Sequence, residues 1–366
     1  MKIAICGDLH FGIKDSSFNA FKYQKRFFEE YLIPITKEYK CEKLVFLGDI
    51  LHSRRNINLR ILSEITRLFK QIQTNLSETE LLGVVGNHDL YFRNSYDIAA
   101  VKDLDLGLNY GNNKYYIIDN NLFIHWHNTK EELQETIREI ISQNLHLNIE
   151  YIYGHFAFFG FKLNSCVANT NDEDIEDSFI HDSFPNLRYV FSGHFHSPSE
   201  KGKVKYVGVP YQLTWAELND ELGFYILDTD TNELTFFKNK YKAFELIKMD
   251  KVNLVDDIVN MIEECEYRKL YKIYYRGGER EAVARYLYNQ ILLKNHDVQM
   301  IDESIYIDDN EVEMIKDSEL VSIETLIRNY FMADSNCIPE EERDGYYNIF
   351  KAVYERVKTQ SDSVEI

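Results

Sequence analysis

Asp, His and Asn residues recur along this chain in a pattern that suits divalent cations. They fall in five groups: Asp8 with His10, Asp49, Asn87-His88-Asp89, His155, and His194 with His196. Each group stands beside or just past an apolar run that ends in glycine, at Gly7, Gly48, Gly86, Gly154 and Gly193. Imidazole and carboxylate together bind divalent transition metals well. An isolated Gly-Asp is ordinarily a solvated loop residue. Five ordered groups following separate apolar runs need another explanation, and the simplest is a two-metal site with Asp49 as the bridging ligand.

The elements that must position these residues can be read from periodicity. Val45-Phe46-Leu47 is an apolar run short enough for a buried strand, and Gly48 then allows a tight turn that leaves Asp49 at the strand's carboxyl end. Ligands of open α/β sheets bind at such ends. Lys2–Cys6, Leu44–Leu47 and Leu81–Val85 read as strands, alternating with helices over Phe18–Lys40, kinked at Pro34, and Leu59–Leu76. Residues 115–126 hold two short strands around Asp119-Asn120-Asn121. Glu131–His146 is a helix with Thr129 as N-cap and Glu132 three residues on, the pattern of a capping box. Strands are expected over 151–153, 188–192, 203–207, 223–228 and 233–237. The sum is an α/β fold, a two-sheet sandwich flanked by helices.

Composition limits what such a fold does. At 366 residues the chain is too long for one ordinary core, so two or three domains are expected. No apolar run reaches the roughly 20 residues that span a bilayer, and Asp8 interrupts any apolar leader, so neither membrane nor signal peptide is expected. The five cysteines are scattered without a Cys-x-x-Cys pair, which fits buried thiols in a reducing cytoplasm. The net charge of −19 argues against a simple nucleic-acid binder. Its distribution softens that objection. Residues 1–248 carry 27 basic and 34 acidic side chains, residues 249–299 carry 8 and 9, and residues 300–366 carry 6 and 17. The acidic excess is greatest at the C-terminal end, and the front of the chain can meet a polyanion with cations helping.

The ordered pattern Asp-x-His, Gly-Asp, Gly-Asn-His-Asp, Gly-His, Gly-His-x-His resembles the calcineurin-like metallophosphoesterase superfamily. Gly48-Asp49-Ile50-Leu51-His52-Ser53, Gly193-His194-Phe195-His196, and Gly154-His155-Phe156 followed by Gly160-Phe161 are most similar to its double-strand-break-repair nuclease branch, which includes the nuclease subunit of SbcCD complexes and its T-even-phage counterpart. The resemblance is strong over 1–237 and only architectural beyond. It implies Asp8, His10, Asp49 and His196 around one metal and Asp49, Asn87, His155 and His194 around the other. It implies manganese, with magnesium as the alternative, and a pair of cations that activates water and clamps both oxygens of an in-line phosphodiester displacement. His88 is then no ligand but faces the scissile phosphate. Asp89 would orient the His88 ring, and His52 would lie beside the substrate path.

The same resemblance gives the expected organisation: a metallophosphoesterase nuclease domain over 1–248, a small α/β cap over 249–315, and a helical segment over 316–366. In the cap, Tyr271–Arg276 reads as a strand, Gly277-Gly278 as a turn, Glu279–Leu293 as a helix, and Val298–Ile301 and Ser304–Ile307 as short strands. Arg268, Lys269, Lys272, Arg276, Arg280 and Arg285, interleaved with tyrosines, are a candidate DNA surface, as are Arg54 and Arg55 beside His52. Leu320–Met332 and Glu340–Val357 read as amphipathic helices around Pro339, expected to grip the coiled coil of an SMC-like, SbcC-type ATPase. Relatives dimerise through the nuclease domain, which makes the helix at 18–40 a candidate dimer surface. His125 and His127 are expected at a strand end near the pocket rim without a metal. His146, His181 and His296 are expected on the surface, and the acidic run Asp172–Asp177 as a solvated loop. The expected activity is that of a manganese-dependent DNA exonuclease and endonuclease. The rival readings are a protein phosphatase or cyclic-nucleotide phosphodiesterase with the same metal site, or a non-catalytic scaffold for the ATPase. The intact His88 and Asp89 weigh against the scaffold.

Overall fold

In a computed structural model of the protein, residues 1–92, 99–161, 177–249, 255–263, 265, 268–276, 278–302, 347 and 351 are described. The chain divides into two compact units, Met1–Ile301 and Asp302–Ile366. The expected strand at Ser304–Ile307, the two C-terminal helices and the acidic run at 172–176 lie outside the described residues.

The first unit is built on two sheets, and their strands begin with β1 (Lys2–Cys6), β2 (Lys43–Phe46), β3 (Glu80–Gly83), β4 (Tyr115–Ile118), β5 (Asn121–Ile124) and β6 (Tyr151–His155). There follow β7 (Tyr189–Gly193), β8 (Ser199–Lys201), β9 (Val204–Tyr206), β10 (Gly223–Asp228) and β11 (Glu233–Lys238). One sheet runs β11-β10-β1-β2-β3, the other β4-β5-β6-β7-β9-β8. Within them β1, β2 and β3 are parallel neighbours, as are β5, β6, β7 and β9.

Side-chain alternation along these strands separates three cores. Ile3, Ile5, Val45 and Leu47 point between the sheets and meet Phe123, Tyr153 and Phe191 from the opposing one. Ala4, Cys6, Leu44 and Phe46 point outward onto the helices of residues 18–38 and Leu59–Asn75. On the far face Leu122, Ile152 and Val190 pack beneath helix Lys130–Ser142. Strands covered on both faces are apolar throughout, which is why they read as unbroken hydrophobic runs. The sandwich flanked by helices is the architecture that periodicity predicts. No helix among the described residues is long and apolar enough to cross a membrane.

Local departures have physical causes. The helix opened by the Ser17 cap does not simply kink at Pro34. It passes through a π-turn at Phe28–Leu32, in which Ile33 N–H bonds Phe28 carbonyl, and continues as Ile33–Glu38. The wider turn absorbs the hydrogen bond that proline cannot donate. Thr129 does accept from Glu132 N–H, but the Glu132 carboxylate reaches Asn128 N–H rather than the cap residue itself.

A third, smaller sheet is β12 (Phe244–Lys248), β13 (Leu270–Tyr275) and β14 (Asp297–Asp302), in that order, with helices Val255–Glu263 and Gly278–Leu293. β12 pairs in parallel with β13, so this small α/β layer begins at Phe244, ahead of the expected boundary at 249. Its core is Ile247, Ile262, Tyr271, Ile273, Leu287 and Ile291. His296, expected on the surface, is buried there and its Nδ1 accepts Lys269 N–H.

Candidate metal centre

All five groups of the sequence pattern converge where the parallel strands of both sheets end. Asp8 follows β1 and Asp49 follows β2, while His155 closes β6 and His194 follows β7. Two glycines are required by this convergence. Gly48 has φ +100, and a Cβ there would stand 2.6 Å from His155 Nδ1. A Cβ on Gly193 would stand 2.3 Å from Asp8 Oδ1 and 2.6 Å from the Leu47 carbonyl. The side chains approach backbone so closely that only hydrogen fits.

His10, Asp49 and His194 adopt positive φ, a conformation that costs energy outside glycine and is held by its surroundings. For His10 the restraints are visible: its N–H bonds the Asp49 carbonyl at 2.8 Å, and the buried Gln24 amide donates to the Leu9 and His10 carbonyls.

The donor atoms form two neighbouring groups. His10 Nε2 faces His196 Nε2 at 3.1 Å, with Asp8 alongside. In the other group Asn87 Oδ1 lies 2.9 Å from His155 Nε2 and 3.1 Å from His194 Nδ1. Asp49 Oδ2 lies between them, 3.6 Å from His10 Nε2 and 3.5 Å from His155 Nε2. His155 Nδ1 donates to the Leu47 carbonyl at 2.7 Å, so in the neutral ring Nε2 is the atom that holds the lone pair. Asp8 Oδ2 accepts His194 N–H, while the buried Oδ1 has no hydrogen-bond partner among the described residues.

The electrostatics fit cations. Burial, together with the neighbouring Asp49, pushes the Asp8 carboxyl up. At Asp49 burial is outweighed by the His155 ring, and the carboxyl is held well below its usual range. Burial keeps His10 and His194 neutral, the form that ligates metal. At His155 burial is outweighed by Asp49 and Asp8, which raise the ring to about 9, and at His196 burial is outweighed by Glu217, so the buried carboxylates hold protons on these two rings that a bound cation would displace. Manganese or magnesium would suit the oxygen donors and manganese the imidazoles.

His88 and His52 flank this centre on the solvent side, their rings stacked at 5.8 Å. His88 Nδ1 donates to the His52 carbonyl at 2.6 Å, and its backbone N–H donates to Asp49 Oδ1 at 2.8 Å. Asp89 does not orient that ring as expected. Its two oxygens accept Leu51 N–H at 3.1 Å and Gly86 N–H at 2.9 Å, so the carboxylate clamps the loops of Asp49 and Asn87 together. The His52 carbonyl takes the orienting role.

A cleft of about 780 Å³ opens beside the two histidines. Lys14, Arg54 and Arg55 line it, so the two arginines singled out in the sequence do stand at the site, and Lys14 joins them from a strained turn at Gly12–Ser16. The basic residues of the small sheet are placed differently. Arg268 pairs with Asp297, Lys269 with Glu245 and Arg285 with Glu281, while Lys272 lies over the Trp215 ring and Tyr271 is core. Arg268, Lys269 and Arg285 are thus engaged in ion pairs within the small sheet and its helix.

His125 and His127 are buried and structural. His125 Nδ1 accepts Val85 N–H and Nε2 donates to the Tyr110 carbonyl, which ties β5 to the chain entering Gly86-Asn87. His127 bonds the His125 carbonyl and Thr136 Oγ1. Burial lowers the two to about 3 and about 4.

Sequence reasoning missed Glu217. It is 1% exposed, its Oε1 lies 3.1 Å from His196 Nδ1, and its Oε2 accepts Thr214 N–H and Oγ1. Burial alone would raise this carboxyl, but His196 and Thr214 hold it below its ordinary value. Thr214-x-x-Glu217 is a capping-box signature, and that signal was present in the sequence; its contact with His196 was not.

Among known proteins, the chain is 27% identical to "Exonuclease subunit 1" of Enterobacteria phage T4 over 351 residues, 93% of this chain and 94% of that one. It is 24% identical to a subunit of the nuclease SbcCD of Staphylococcus epidermidis over 144 residues, 38% of each. A dimetal phosphatase of known structure from Danio rerio aligns with 62% of this chain and 91% of its own at 10% identity and a TM-score of 0.34, a similarity that adds nothing to the assignment. Residues 1–198, more than half of the chain and the part that carries every metal donor named above, match the Calcineurin-like phosphoesterase family, and the chain belongs to it.

Proposed function

We propose that this protein is a manganese-dependent DNA nuclease that hydrolyses phosphodiester bonds with two metal ions. The observation that carries the reading is the position of Asp49 Oδ2 between two donor groups, beneath a histidine that opens onto a basic cleft. Asp8, His10, Asp49 and His196 would hold one cation, and Asp49, Asn87, His155 and His194 the other. When bound, the cations supply Lewis acidity and a nucleophile at neutral pH.

The chain's own residues do the rest. Lys14, Arg54 and Arg55 draw the phosphate backbone into the cleft. The His52 carbonyl fixes the His88 proton on Nδ1 in the neutral ring, so a second proton on Nε2 is the one that can pass to the leaving oxygen. Asp49 Oδ1, bonded to His88 N–H, ties the position of that ring to the shared ligand. Asp89 keeps both loops in register.

The alignment with a phage exonuclease subunit over nearly its whole length supports a nuclease above a phosphatase. The complete donor set supports an enzyme above a scaffold. Names of both relatives describe subunits, which supports a complex; the partner proposed here is an SMC-like ATPase, bound through residues 316–366, with the protein acting in DNA end processing and as a homodimer. The test is digestion of end-labelled duplex and single-stranded DNA, beside a phosphopeptide, with manganese and with chelator. Manganese-dependent release of nucleotides with an untouched peptide is expected. Phosphate released from the peptide with intact DNA would favour the phosphatase instead.

A further inference from the structure

Glu217 belongs to none of the donor groups, yet it is the carboxylate that contacts the outer nitrogen of a proposed ligand. Its Oε2 is taken up by two donors, Thr214 N–H at 2.6 Å and Thr214 Oγ1 at 2.8 Å. That leaves Oε1 for His196 Nδ1, at 3.1 Å. A carboxylate only accepts, so the ring nitrogen facing it carries hydrogen. The other ring nitrogen, Nε2, points into the group formed with Asp8 and His10. The carboxylate is delivered by a rigid element: Thr214 caps a one-turn helix at Trp215–Glu217, and Trp215 packs on Phe244 with centroids 4.9 Å apart while Lys272 covers its ring.

We propose that Glu217 is a positioning residue that fixes the His196 proton on Nδ1 and so presents the Nε2 lone pair to the cation shared with Asp8 and His10. The proposal rests on reading His196 as a metal donor. A carboxylate behind a ligating imidazole sets its tautomer and raises its basicity, and losing one typically weakens metal binding about 10- to 100-fold. Glu217→Gln is the informative variant because it keeps shape and the turn. Its single acceptor oxygen is claimed by the two donors of Thr214. The amide NH₂ then faces His196 Nδ1, which must accept, and the ring proton moves to Nε2.

The experiment combines 15N NMR of histidine-labelled, metal-free protein at pH 8.5 with calorimetric titration of manganese alone into wild type, Glu217→Gln and Thr214→Ala. Wild type should show His196 protonated on Nδ1 and bind two manganese ions. Glu217→Gln should shift the proton to Nε2 and lose about 10- to 100-fold in affinity at one site. Thr214→Ala, which leaves the carboxylate in place, should lose less than tenfold. Wild type with two ions and a Glu217→Gln variant unchanged in tautomer and affinity would overturn the proposal while leaving the metal centre standing. A wild type that binds no manganese would bring down the metal centre and the proposal together. Should Glu217→Gln fail to fold, the wild-type spectrum decides, since a His196 proton on Nε2 overturns the proposal by itself.

Discussion

The proposed mechanism divides individual residues into those that would hold cations and those that would act beside them, and the division is testable. His88 lines the cleft without belonging to either donor group around Asp49. His88→Ala should keep both metals and lose on the order of 100- to 10,000-fold in DNA cleavage, measured at saturating manganese. Near-normal turnover would make His88 structural. A different pair shows how burial turns a histidine into a stability switch. His125 and His127 titrate near 3 and 4 when folded, against an ordinary value near 6.5. Both are neutral in the fold and gain protons on unfolding, so their contribution is full above pH 6.5 and is lost as pH falls toward 4. Each should cost about 1.4 kcal/mol per pH unit in that window. His127→Gln should therefore flatten the fall in unfolding free energy between pH 6 and 4.5, read by denaturant titration in chelator. Single residues were also the most legible scale. The convergence of Asp8, His10, Asp49, Asn87, His155, His194 and His196 was legible because their groups follow apolar runs that end in glycine. Glu217 could not be read as a partner, because its carboxylate acts on His196 across 21 positions of sequence and its local pattern signals only a helix cap.

At the scale of elements, the site is a property of strand ends and of the glycines that let them approach. Gly193→Ala places a methyl 2.3 Å from the Asp8 oxygen that has no hydrogen-bond partner among the described residues. The strand or the ligand must shift, at a cost on the order of 1–3 kcal/mol. The expected result is a lower melting temperature together with loss of manganese from the Asp8 side, by calorimetry; unchanged metal binding would show that β7 has room to move. Strands with two buried faces were legible as apolar runs, and amphipathic helices by their 3.6-residue stripe. β12 was not, because Phe244-Glu245-Leu246-Ile247-Lys248 reads as a continuation of the preceding hairpin, and only its parallel partner β13 assigns it to the small sheet. Asp89 was misread as well. The resemblance implied a carboxylate turned to His88, whereas the turn directs its oxygens to the backbone amides of Leu51 and Gly86.

At the scale of the molecule, two compact units raise the question of what the second one is for. Residues 300–366 carry 6 basic and 17 acidic side chains, and Leu320, Ile323, Ile327, Tyr330 and Phe331 recur at helical spacing, as do Tyr346, Ile349, Phe350, Val353 and Val357. Two stripes of that size are too small a core to stand alone. A segment this acidic would repel DNA and suit a basic coiled-coil root, the docking role proposed for it. Deleting residues 318–366 should leave manganese-dependent cleavage of short single strands intact and abolish co-purification with the proposed ATPase partner. Full-affinity binding by the truncated protein would remove the proposed docking role. The central claim, that Asp49 is shared by two cations, is met most directly by anomalous diffraction at the manganese edge from crystals grown with manganese. Two peaks are expected on either side of Asp49, one among Asp8, His10 and His196 and one among Asn87, His155 and His194. A single peak, or one centred among His10, His52 and His88, which also bring three ring nitrogens together, would contradict it.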